Sequence, residues 1–327
     1  MQLYLVICLL THVKIYAIIN SKKWTDTKKM NDLKKITSKN NSLIKLACEL
    51  NKHKKQRYEH MQFVIEGFRL VQEALKSKLN ILYCFITPAF AAKYADFIKN
   101  ISVVGNVFLI DESLEKKLSQ NTTPAGIYCV CQMPKLTLNF NNLPSKSIAL
   151  IDLQDPGNLG TIIRTAEAFG VNNIFISKNS VDVFSPKVIK ASMGSCFRVK
   201  IMQIDDVTGF ISRCHKAGIA TYAAVLAENS SNFLNIKFEP NAMVFIGNEG
   251  NGLPKDIADL IKYHVKIPME APVESLNAAG AAALFLYKLY TRFLGLKPYK
   301  LLLAAGVFLL EFYAQKSFQH LFHVEQN

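Results

Sequence analysis

Ser147-Ile148-Ala149-Leu150-Ile151-Asp152-Leu153-Gln154-Asp155-Pro156-Gly157-Asn158-Leu159-Gly160 decides how the second half of the chain is read. An unbroken apolar run ending in an acid is the pattern of a strand buried on both faces of a parallel sheet. A turn-rich loop follows it, and a helix is expected over residues 161–169, closed by Gly170. The alternation continues, with strands expected at 174–176, 199–202, 220–224 and 242–246, and helices near 186–193, 207–216 and 254–261. Strands alternating with helices imply an α/β fold whose mostly parallel sheet is covered on both faces.

Three loops at the expected carboxyl ends of strands carry the polar residues, and that edge is where such sheets bind ligands. In the helix after the first loop, Ile162, Ile163, Ala166 and Phe169 form the buried side, which leaves Arg164 on another face. A guanidinium near a helix start suits phosphate or carboxylate, although a lone surface arginine is more often one half of an ion pair. The second loop, Ile246-Gly247-Asn248-Glu249-Gly250-Asn251-Gly252-Leu253, sets three glycines around one carboxylate. Glycine lets backbone approach a ligand closely, and a glutamate can accept from hydroxyls or act on a proton. The spacing is not that of a dinucleotide fingerprint, which argues against a dehydrogenase. In the third, Ile267-Pro268-Met269-Glu270-Ala271-Pro272-Val273-Glu274-Ser275-Leu276-Asn277, prolines bar a helix up to Pro272, and Ser275 and Asn277 offer caps for an apolar helix over 278–289. Taken singly, a capped helix and a glycine turn are the ordinary readings.

In this order and strand context, segments 158–166, 246–253 and 267–277 resemble the three motifs of the SpoU (TrmH-type) RNA ribose 2′-O-methyltransferases, a match spanning residues 147–294. Upstream, segments 36–45, 63–67 and 118–126 resemble the L30e-like substrate-binding domain of the ribosomal RNA branch of that family. The resemblance implies a SPOUT-type domain with a deep trefoil knot, preceded by a small L30e-like α/β domain. It implies S-adenosylmethionine as cofactor, held by backbone at Gly247, Ile267 and Leu276, with Asn158, Arg164, Glu249, Ser275 and Asn277 around the target ribose and Arg164 the favoured catalytic residue. It implies a homodimer acting on ribosomal RNA without a metal; transfer RNA is the alternative substrate, and a non-catalytic RNA-binding protein of the same fold is a rival that the intact motif residues oppose.

The upstream half reads as a basic helix within residues 22–57, where Leu43, Ile44, Leu46, Ala47 and Leu50 recur at helical spacing, followed by an α/β unit. Its strands are expected at 63–65, 81–86, 103–110 and 127–130, and its helices at 68–76, 88–98 and 112–118. The resulting plan is an apolar leader over 1–29, the basic helix and RNA-binding domain over 30–132, a linker over 133–146, the methyltransferase domain over 147–296 and an extension over 297–327. Composition agrees: 39 Lys and Arg against 25 Asp and Glu in 327 residues leave a formal charge of +14, which points to a polyanion or an anionic membrane. The leader is interrupted by His12 and Lys14, and the apolar run at 301–310 is too short to span a bilayer, so a membrane protein is not expected. Seven scattered cysteines form neither a disulfide framework nor a zinc spacing, which fits a reduced, cytoplasmic protein.

Overall fold

Asn41 opens the first helix among the described residues: its side chain accepts from the Leu43 N–H at 2.9 Å, and the helix α1 (Ser42–Lys52) then buries Ile44, Ala47 and Cys48 at the spacing of one helix face. The computed structural model describes residues 33–104, 106–134, 146–270, 272–273 and 275–293. The expected leader, residues 135–145 of the expected linker and the expected extension lie outside them. The chain divides into two compact units, residues 1–133 and 134–327.

The first unit is a five-stranded sheet in the order β1-β4-β3-β5-β2, built from Lys34–Ile36, Gln62–Glu66, Ile81–Ile86, Asn106–Ile110 and Ile127–Gln132 as β1 to β5 in chain order. β5 runs antiparallel to both β3 and β2, while β1, β4 and β3 are mutually parallel. The basic helix expected within residues 22–57 is present as α1, which holds Leu43, Ile44, Leu46, Ala47 and Leu50. The same basic stretch also holds β1, and a short α2 (Lys54–His60) follows α1 after His53 in extended geometry. Arg57 of α2 is buried and donates to the Leu50 carbonyl at 2.5 Å, so it supplies a donor to the backbone at the end of α1. After α3 (Phe68–Lys76), the helix expected over 88–98 is two helices, α4 (Pro88–Lys93) and α5 (Ala95–Val104), with the break at Tyr94. Tyr94 stacks on Phe68 with ring centroids 4.3 Å apart, a tertiary contact that periodicity does not report. Val103 and Val104 therefore end a helix instead of opening β4, and α6 (Glu112–Leu118) follows as expected.

The described residues of the second unit form a seven-stranded sheet in the order β10-β12-β9-β11-β6-β7-β8, every neighbouring pair parallel. In chain order they are β6 (Lys146–Leu150), β7 (Asn173–Ser177), β8 (Lys200–Ile204), β9 (Ala220–Ala224), β10 (Ser231–Asn232), β11 (Ala242–Ile246) and β12 (Tyr263–Lys266). The expected parallel α/β architecture is present. The chain steps outward from β6 through β7 to β8 and then crosses to the other side of β6, which makes the β6/β11 boundary the point where strand order reverses. Leu150 pairs with Ile246, so the loops leaving these two strands emerge side by side. The helices are α7 (Pro156–Ala168), α8 (Pro186–Ser192), α9 (Val207–Lys216), α10 (Lys255–Ala258) and α11 (Ala278–Phe293). α7 and α8 approach closely at Gly160, where an added Cβ would lie 2.4 Å from Ala191 Cβ. Ala282, Phe285, Leu286 and Leu289 of α11 are buried. Among the described residues, no helix is long and apolar enough to cross a membrane.

Candidate active site

The first loop is shorter than its sequence suggests. Asp155 accepts from the Asn158 N–H at 2.7 Å and Pro156 takes the first helical position, so α7 begins at Pro156 and not at residue 161. Asn158 thereby sits in the first turn of a rigid helix. Arg164, further along α7, is exposed, and no hydrogen bond or ion pair joins it to any described residue.

The second loop closes on itself through Asn248, whose backbone exchanges two hydrogen bonds of 2.9 Å with Gly252 and whose Oδ1 accepts from the Gly250 and Asn251 N–H groups at 2.8 and 3.2 Å. Gly247 must be glycine here, since a Cβ would fall 2.1 Å from the Gly252 carbonyl carbon. Glu249 reaches back across the loop boundary: it accepts from the Gln154 N–H at 3.2 Å, the Asp155 N–H at 3.1 Å and Asn158 Nδ2 at 3.1 Å. Burial is the largest single influence on this carboxyl and pushes its pKa up. The Asn158 amide and the backbone N–H groups together outweigh burial and hold it below the usual glutamate value.

The third loop is joined to the same network. Asn277 Oδ1 caps α11 by accepting from the Ala279 N–H at 2.8 Å and the Gly280 N–H at 3.3 Å, while its Nδ2 donates to Asn158 Oδ1 at 2.9 Å. Hydrogen bonds therefore run from Asn277 to Asn158 to Glu249 and tie all three loops into one brace. Each amide has a fixed orientation, because its oxygen and nitrogen face different partners.

Beside this brace lies a cavity of about 310 Å³, within the size range of small-molecule sites. Backbone of the 247–252 loop forms one wall. Ala224, Ile246, Val265, Ile267, Leu276 and Phe285 supply apolar surface, and Glu249 and Ser275 bring polar groups to its edge. Of the residues singled out from sequence, Gly247, Ile267, Leu276, Glu249 and Ser275 line this cavity, and Asn158 and Asn277 join it through the brace. Arg164 lines no part of it. Among the described residues there is no cluster of three or more metal-binding side chains. Sequence reasoning passed over Asp155 and Asn248 as functional supports, although the Asp-Pro pair is a helix-start signal. It also passed over β12, whose alternating Tyr263-His264-Val265-Lys266 is brief and mixed.

Comparison with known proteins bears directly on this arrangement. The model of the SpoU rRNA Methylase family matches residues 145–287, and that of an MRM3-like substrate binding domain matches residues 41–129. An uncharacterized tRNA/rRNA methyltransferase of Synechocystis is 31% identical over 260 residues, 79% of this chain and 93% of that protein. The 23S rRNA (guanosine(2553)-2′-O)-methyltransferase RlmP of Bacillus subtilis is 30% identical over 258 residues, 79% of this chain and 99% of RlmP. The AdoMet-bound rRNA methyltransferase of Sinorhizobium meliloti superposes with a TM-score of 0.69 at 28% identity, covering 79% of this chain and 97% of that one. With its three motif loops braced around one cavity, the chain belongs to the SpoU family of RNA methyltransferases.

Proposed function

We propose that the protein transfers a methyl group from S-adenosylmethionine to a ribose 2′-hydroxyl of ribosomal RNA, with the donor in the cavity beside the 247–252 loop. The observation that carries this reading is the brace of Asn277, Asn158 and Glu249, which fixes the three motif loops around a cavity walled by backbone on one side and apolar side chains on the other. Such a cavity fits the donor: the apolar wall suits an adenine ring, and the glycine-lined backbone leaves room for close approach to the polar remainder. Gly247, Ile267 and Leu276 would hold it. When bound, S-adenosylmethionine supplies a methyl group on a positively charged sulfur.

A ribose hydroxyl is a poor nucleophile until its proton is leaving, so the chain's own tasks are alignment and charge stabilisation. A guanidinium stays protonated near neutrality, which makes Arg164 an electrostatic group and not a simple base. It would grip the phosphate beside the target ribose and stabilise the alkoxide as the proton departs. Glu249, Asn158 and Asn277 orient the loops, and Ser275, exposed at the cavity edge, faces the ribose. Because Arg164 lines no part of the cavity, the reading includes a homodimer in which a second copy helps to complete the site. Leu276 and Leu284, each 40% exposed, and Val273, 54% exposed, offer apolar surface for that contact. The same reading carries over the family's trefoil knot, a cytoplasmic site of action and RNA capture by the first unit.

Ribosomal RNA is preferred over transfer RNA because the similarity to RlmP, named for a 23S rRNA nucleotide, runs over 258 residues and 99% of that protein, and so reaches well beyond the methylase segment 145–287 of this chain. Incubation with tritiated S-adenosylmethionine should label ribosomal RNA, with the label recovered in alkali-resistant dinucleotides; label confined to transfer RNA would reverse the substrate assignment. Arg164→Lys should retain RNA binding and lose most turnover. Near-normal turnover in that variant would remove Arg164 from the role given to it.

A further inference from the structure

Asp152, the second residue beyond β6, has φ 56°, the left-handed region where a side chain is disfavoured and glycine is the residue of least strain. Ser177, the last residue of β7, holds it there. The Asp152 N–H donates to Ser177 Oγ at 2.8 Å, and the Ser177 hydroxyl donates back to Asp152 Oδ1 at 2.7 Å. Both groups belong to one residue, so a single buried hydroxyl fixes its backbone and its side chain together. With the Ser177 proton committed to the carboxylate, the Ser180 hydroxyl 3.0 Å away must donate to Ser177 Oγ, while its own oxygen accepts from the Leu153 N–H at 3.2 Å. Donors therefore run one way, from Leu153 through Ser180 and Ser177 to Asp152.

The carbonyl of the same residue points at the cavity loop. Asn248 Nδ2 donates to it at 2.8 Å, and the remaining side-chain atom of Asn248 gathers the Gly250 and Asn251 N–H groups. Rotating Asp152 out of the left-handed region would swing this carbonyl and withdraw the anchor of the loop that forms the cavity's backbone wall. We propose that Asp152 and Ser177 form a latch that sets the 247–252 loop for S-adenosylmethionine, acting as positioning residues through Asn248. This rests on the donor-site reading above.

The test is calorimetric titration of S-adenosylmethionine into the full-length protein, with amide hydrogen exchange at Gly250 and Asn251 followed in the donor-free state. Ser177→Ala and Asp152→Ala should each raise Kd for the donor roughly ten-fold, about the effect of one net hydrogen bond. They should raise KM for the donor in parallel, leave kcat unchanged and quicken exchange at the two amides. Asp152→Asn keeps an acceptor for Ser177 and tolerates the left-handed region, so it should restore wild-type binding. Asp152→Gly relaxes the backbone and deletes the acceptor, and should still bind the donor weakly. Wild-type Kd and exchange in Ser177→Ala overturn the latch, even if melting temperature falls. If Asp152→Ala fails to fold, the contrast between Ser177→Ala and Asp152→Asn decides alone: equal Kd values sink the proposal. A wild-type protein that does not bind S-adenosylmethionine would instead overturn the donor-site reading.

Discussion

Glu249 accepts from two backbone amides and the Asn158 amide, and those contacts make it a poor proton acceptor near neutrality. Its pKa is lowered in the folded protein, so its contribution to stability is fully present above the ordinary glutamate value of 4.5 and is lost as pH falls through the depressed folded value. Two consequences follow for measurement. Between about pH 6 and 9 Glu249 stays ionised, so Glu249→Gln should lower kcat/KM roughly ten-fold by loosening the brace, without moving any inflection of the pH–rate profile. Disappearance of an inflection in that range would show that Glu249 exchanges a proton during turnover. Below pH 4.5 the wild type should lose its stability advantage over the Gln variant, read as converging melting temperatures.

At the scale of elements, α7 carries both Asn158 and Arg164, so its seating controls the site. An added methyl at Gly160 would meet backbone atoms of α8 as well as Ala191: Ser192 N and Val188 O both lie 2.9 Å from the built Cβ. Backbone cannot rotate away as a side-chain tip can. Gly160→Ala should therefore cost about 1–3 kcal/mol, seen as a lower midpoint in urea at unchanged m-value. Asn277 is the corresponding hinge for α11, and Asn277→Ala should lose about 1 kcal/mol of capping while leaving Asn158 Oδ1 without this donor. A double-mutant cycle with Asn158→Ala should show coupling; strict additivity would mean that the two amides act independently. These supports mark where sequence stops being sufficient. Buried parallel strands such as β6 and β11 were legible because every residue of β11, and of β6 after Lys146, is apolar or small. The three motif loops were legible from their glycines, prolines and capping residues. The hydrogen bonds between Glu249 and residues 154, 155 and 158 span more than ninety positions of sequence, and no local period encodes them. The break at Tyr94 and the true start of α7 were set by a ring stack and by one capping carboxylate, both stronger than the apolar periodicity that suggested otherwise.

For the whole molecule, the charge is unevenly divided between the two units. Residues 33–133 carry fifteen Lys and Arg against eight acids, a surplus of seven, whereas the longer stretch 146–293 carries fifteen against thirteen, a surplus of two. The unit with the larger surplus is the one matched by a substrate-binding domain, and the nearly balanced unit holds the cavity. Nucleic-acid affinity gained by neutralising phosphates falls with salt in proportion to the number of contacts, while binding of a small donor that displaces no condensed counterions depends on salt far less. Lys45, Lys52 and Lys54 are all exposed on or beside α1. Changing the three to glutamine should reduce the slope of log K against log salt for ribosomal RNA by roughly two to three and weaken binding at low salt, with no change in Kd for S-adenosylmethionine. The same substitutions placed on exposed lysines of the second unit, Lys187, Lys190 and Lys216, should leave that slope nearly intact. An equal loss from both sets would mean that phosphate contact is spread over the whole surface and that the first unit has no privileged part in holding RNA.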